Sequence, residues 1–165
     1  EVRALLALRR GETADGEVSL LVNEARVLDD ARSLSRALML AAQVSLRGGR
    51  FALAADELRE ALARSRDAGE AHEAATIAMN LGLVELDAGE LGAALGTLRQ
   101  GAAALVWLGR EQDLARALYN LGNVAWLVGD VALAEASFLE ARERAERSAR
   151  GGCGCPRRSW ASRGT

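Results

Sequence analysis

The sequence predicts an all-α fold, a solenoid of antiparallel helix pairs, and three observations carry that expectation. First, a forty-residue unit is written three times: aligning Leu40-Ala41-Ala42 with Asn80-Leu81-Gly82 and Asn120-Leu121-Gly122 brings the rest into register without gaps. Gly49, Gly89 and Gly129 then coincide, as do Ala54, Ala94 and Ala134, then Leu58, Leu98 and Phe138, then Ala61, Gly101 and Ala141. Second, alanine, leucine and arginine are the commonest residues, all strong helix formers, and there is a single proline. Third, only 4% of residues are aromatic while half are hydrophobic, so the core is built of Ala and Leu and helices approach closely. A repeat of this length cannot bury its own apolar face, so the copies stack into one continuous core.

The elements follow in order. Before Arg32 the pattern is weak: Ala4 to Arg10 and Glu17 to Leu28, separated by Gly11 to Gly16, suggest a truncated or divergent first pair. Such atypical ends are expected in arrays. The first complete pair runs from Arg32 to Arg47 and from Phe51 to Arg66. The second runs from about Glu70 to Ala88 and from Leu91 to Leu108. The third runs from about Glu111 to Val128 and from Val131 to Arg147. Repeats therefore span about 31–69, 70–109 and 110–149 of a helical domain covering 1–150, with an irregular basic tail over 151–165. Each break is a glycine, which takes the left-handed C-terminal conformation at little cost, and the acid after Gly89 or Gly129 favours the next helix start. Breaks this short force neighbouring helices antiparallel.

These residues resemble a tetratricopeptide repeat (TPR) array of the longer-period kind. The signature is a small residue in the first helix (Ala42, Gly82, Gly122), a Gly-acid turn, and a small–large–small pattern in the second helix, as in Ala134, Phe138 and Ala141. Two departures stand out: Ser45, Glu85 and Ala125 replace the usual mid-helix aromatic, and the closing proline is absent. Both are similar to the arrays of LuxR-type bacterial regulators, related signalling ATPases and kinesin light chains. The resemblance implies a right-handed superhelix whose first helices line a concave protein-binding face.

Helical counting from the small residue picks out that face. In the first complete copy it holds Arg36, Met39, Leu40, Gln43 and Arg47. The second copy supplies Thr76, Met79, Asn80, Leu83 and Asp87, and the third Arg116, Tyr119, Asn120, Asn123 and Trp126. Carboxamides both donate to and accept from an extended peptide backbone, so Asn80 and Asn120 are candidate ligand contacts. They serve equally well as hydrogen bonds between repeats. Tyr119 and Trp126 are either interface anchors or core filler, with filler favoured for Trp126. Arg36 and Arg116 are placed to meet an acidic group on a partner. With no lysine among the 21 basic residues, the carboxylate-clamp pattern of the family has no counterpart.

Several chemistries are excluded or weak. No Schiff-base lysine or P-loop lysine exists, and no Gly-rich phosphate loop or G-x-S-x-G elbow occurs. His72 is the sole histidine, so one chain assembles no two-histidine metal site and no His-supported triad. Asp56 and Glu57 are successive on a helix and diverge. Cys153 and Cys155 lack two further ligands for a structural zinc site. The expectation is a non-enzymatic module with no cofactor and no metal. From Ser148 onward there are four arginines and no acid, leaving 17 arginines against 23 acids before it, a net of −6. An acidic body argues against nucleic acid as a partner. No apolar run reaches membrane-spanning length and no signal peptide is evident, so a cytoplasmic setting with a protein or peptide partner is expected. The start at Glu1 reads as that of a fragment or processed product, here a partner-docking region of a larger bacterial regulator. The alternative is a structural module that self-assembles through an uncapped C-terminal end, where a following repeat would be expected to cover Leu139.

Overall fold

The computed structural model describes residues 15–151, which form seven α-helices: α1 (Asp15–Val27), α2 (Ala31–Arg47), α3 (Phe51–Asp67), α4 (Ala71–Asp87), α5 (Leu91–Trp107), α6 (Glu111–Val128) and α7 (Val131–Gly151). Each packs antiparallel against the next, and α4 also touches α6 directly. The pairs α2–α3, α4–α5 and α6–α7 begin forty residues apart, at Ala31, Ala71 and Glu111. Ala4 to Arg10 and the tail beyond Gly151 lie outside the described residues. One boundary is corrected: α7 continues to Gly151 instead of ending at Arg147.

A left-handed residue closes each of the first six helices: Asp29 (φ 51°), Gly49, Gly69, Gly89, Gly109 and Gly129, with the glycines between 63° and 85°. They recur every twenty residues, so the turns between repeats use the same geometry as those within them. Around each glycine the backbone closes the same pair of bonds. The Glu90 N–H reaches back to the Glu85 carbonyl and the Gly89 N–H to the Leu86 carbonyl, and the set recurs at Arg50, Glu70, Arg110 and Asp130. This satisfies carbonyls that a helix end leaves without partners. The expected help from acids at the next helix start divides. Asp130 accepts from the Leu133 N–H at 3.0 Å, and so does Asp30 from that of Arg32 at 3.1 Å. Glu90 makes no such bond and turns instead to Arg59.

The core is made of Ala, Leu, Val and Ile. One buried cluster spans α1 to α4 around Leu58 and Ile77, and a second spans α4 to α7 around Leu98, Leu105 and Leu114. Val18 of α1 seats on Leu40, Ala41 and Val44. The small residues sit where helices of a pair cross: a Cβ on Gly82 would lie 2.6 Å from Leu98 Cγ, and one on Gly122 2.7 Å from Phe138 Cε1. Positions 45, 85 and 125, where the resemblance expects an aromatic, are all buried. Among the described residues, no helix is long and apolar enough to cross a membrane.

Candidate docking groove

Because α2, α4 and α6 are the first helices of consecutive pairs, they run side by side along one face. Their stripes of spacing three and four line a groove there. Its first section, about 450 Å³, sets Arg36, Met39, Leu40 and Gln43 of α2 opposite His72, Glu73 and Thr76 of α4. A smaller section of about 290 Å³ brings Met39 and Gln43 to Asn80 and Leu83. The largest, about 1150 Å³, joins Met79, Asn80 and Leu83 to Arg116, Tyr119 and Asn120 of α6, with Phe138 and Arg142 of α7 on the far wall. Shared residues make the three sections continuous.

The structure thus gathers twelve of the fifteen stripe residues around one groove, all but Arg47, Asn123 and Trp126. Asn123 is half-buried one turn beyond it and lines none of the three sections. Met79 belongs mainly to the core at 7% exposure and shows the groove only an edge. Leu40 is likewise buried against α1. Tyr119 stands well exposed and packs its ring on Phe138, centroids 5.7 Å apart and tilted by 56°. Trp126 corrects the packing preference: it is 62% exposed and fills no core. Neither Asn80 nor Asn120 has a side-chain hydrogen bond among the described residues, so their amides face the groove unengaged.

The charged members are mostly held. Arg36 reaches Glu73 at 3.9 Å, Arg32 pairs with Glu70, and His72 Nε2 donates to Asp113 Oδ2 at 3.1 Å. These are rungs between successive first helices. Asp113 also accepts from Arg110 at 3.1 Å and from Arg116 at 2.5 Å. The hydrogen bond from His72, with those from Arg116 and Arg110, outweighs partial burial and holds the Asp113 carboxyl down at about 2. Arg116 and Arg36 are therefore engaged within the fold, unlike the free cations the sequence suggests. His72 is exposed and joins two repeats through Asp113.

Sequence reasoning missed the α7 wall. Arg142 lines the largest section and has no ion pair among the described residues. The forty-residue register contained the signal, because Arg142 stands where Leu62 and Ala102 are buried. No group of three His, Cys, Asp or Glu side chains is arranged to hold a metal ion among the described residues.

No family model matches the chain, and no curated protein does. Among solved structures, the fold is similar to the crystal structure of BtubC (BKLC) from P. vanneervenii. The TM-score is 0.82, the match covers 98% of this chain and 67% of that chain, and 22% of residues are identical. That protein is a bacterial kinesin light chain of tetratricopeptide-repeat type. At this identity the likeness shows architecture: the chain folds as a TPR-like array of antiparallel helices packed in sequence.

Proposed function

We propose that the chain is a protein-interaction module that docks a peptide or helix in the groove along α2, α4 and α6. The repeats over 31–69, 70–109 and 110–149 act as one binding unit, serving a larger bacterial regulatory protein in the cytoplasm. The observation that carries this reading is the pair Asn80 and Asn120, equivalent positions one repeat apart. Both line the same groove and neither amide has a hydrogen bond among the described residues. Two spaced carboxamides suit an extended or helical ligand, since each both donates and accepts. The double variant Asn80→Ala/Asn120→Ala stays folded and loses affinity for a partner captured from native lysate and then titrated. The loss is about 1–3 kcal/mol, the cost of leaving buried hydrogen-bonding groups unpaired. Equal retention by both proteins moves the site off this face.

A second reading, self-assembly, draws on Leu139. It is 53% exposed on α7 at the position that Arg59 and Arg99 hold in earlier repeats. Sedimentation across a concentration series, with Leu139→Glu as the companion variant, separates the two. A strictly monomeric wild type removes self-assembly and leaves docking intact.

A further inference from the structure

Within the array, each second helix is covered by the first helix of the next repeat. On α3 and α5 the covered positions are Leu62 and Ala102, 8% and 6% exposed, and Ser65 and Leu105, both fully buried. On α7 the same register positions hold Arg142 and Ala145, and both are exposed. The open wall of the largest groove section is therefore the seat that a further first helix would take. An apolar helix of the kind that covers α5 would bury Arg142 without a counterion, which is strongly unfavourable. The charged residues lining this section are Arg116, Arg142 and Asp113, and Asp113 is already shared among His72, Arg110 and Arg116. Among the described residues, Arg142 is the cation of this section without an ion pair.

Resting on the docking reading above, we infer that the occupant of this end of the groove is an amphipathic helix of a partner protein. It lies on α7 as a next repeat would and places a carboxylate against Arg142. Ala102 of α5 and Ala117 of α6 belong to one core cluster. Position 117 of a helix like α6 is thus the one that would meet Arg142.

The probe is a synthetic, end-blocked peptide of the Glu111–Val128 sequence carrying Ala117→Glu, with Ala117→Arg as its counterpart, titrated against the chain by fluorescence anisotropy. The glutamate peptide binds wild type. Arg142→Glu weakens it by about ten- to a hundredfold, the range expected when a charge-assisted hydrogen bond is lost. The arginine peptide recovers the loss on the Arg142→Glu protein. Ala145→Trp, which fills the seat without touching charge, also blocks binding. Both variants keep wild-type helicity and melting temperature, since both sites are exposed. Binding that depends on Asn80 and Asn120 but ignores Arg142 overturns this inference and leaves the docking reading standing. Failure of both peptides to bind also overturns it, and the double asparagine variant then judges the groove separately. A dimer of the free chain that Arg142→Glu dissolves overturns it in favour of a second copy.

Discussion

Arg59 of α3 reaches across the repeat boundary to Glu85 of α4, Nη2 to Oε1 at 3.1 Å, and Glu85 is only 3% exposed. The same guanidinium also meets Asp56 at 2.9 Å and Glu90 at 3.0 Å. The second carboxylate oxygen of Glu85 is buried without a hydrogen bond among the described residues. The pair thus joins two repeats at a position where the third repeat holds Ala125, fully buried.

Removing one partner of a buried pair strands the other, which costs about 3–5 kcal/mol when both are enclosed. The Arg59 side chain is 42% exposed, so water softens the loss, and Arg59→Ala is expected to cost about 1–2 kcal/mol. Glu85→Ala costs less, because it removes the buried charge and copies Ala125. Thermal melts of both variants and their double check the order. A Glu85→Ala variant less stable than Arg59→Ala would refute the account.

Gly82 and Gly122 occupy equivalent crossings with different surroundings. Leu98, facing Gly82, is fully buried, so a Cβ forces packed atoms apart. Overpacking costs about 1–3 kcal/mol, partly offset by the gain of about 1 kcal/mol that alanine brings to a helix interior. Gly82→Ala therefore destabilises. Phe138, facing Gly122, borders the open groove and has room to move, so Gly122→Ala is close to neutral. Leucine at either site lowers the melting temperature, more at 82. Equal losses for the two alanine variants would contradict this difference in enclosure.

The His72–Asp113 contact predicts a pH dependence. The Asp113 carboxyl is held at about 2 against an ordinary 3.8. A depressed carboxyl contributes stability that is complete above its unfolded value and is lost as pH falls toward the folded one. Asp113→Asn is expected to lower stability at neutral pH and flatten the acid limb between about pH 4 and pH 2. Denaturant melts over that interval test it. An acid limb as steep as wild type shows that Asp113 is not a main contributor.

Much of this was legible in the sequence. The forty-residue register located the helices to within a residue or two at most ends, and the helical stripe found most of the groove. The twenty-residue turn period was harder, because Asp29 adopts the left-handed conformation at the first turn and Asp29 breaks the glycine pattern. Trp126 misled because an aromatic in an Ala/Leu array suggests filling, whereas Ala125 beside it takes the buried position. Pairing was also hidden. That Arg116 is engaged and Arg142 is not depends on Asp113 sitting one turn from Arg116, and on α7 facing outward. Such facts live in the packing of helices, beyond any single stripe.

The recurring left-handed turn sets a unit of growth. Helices α2 to α5 are each 17 residues long, rigid struts of about 25 Å, and the hinge residue after each returns on a fixed count. A chain of this kind can lengthen or shorten its binding face by a whole pair of struts and keep every other contact in phase. A change of a single strut would present second helices to the ligand, and a change of one residue would turn the following stripe by about 100°. The groove is therefore extensible only in steps of forty residues.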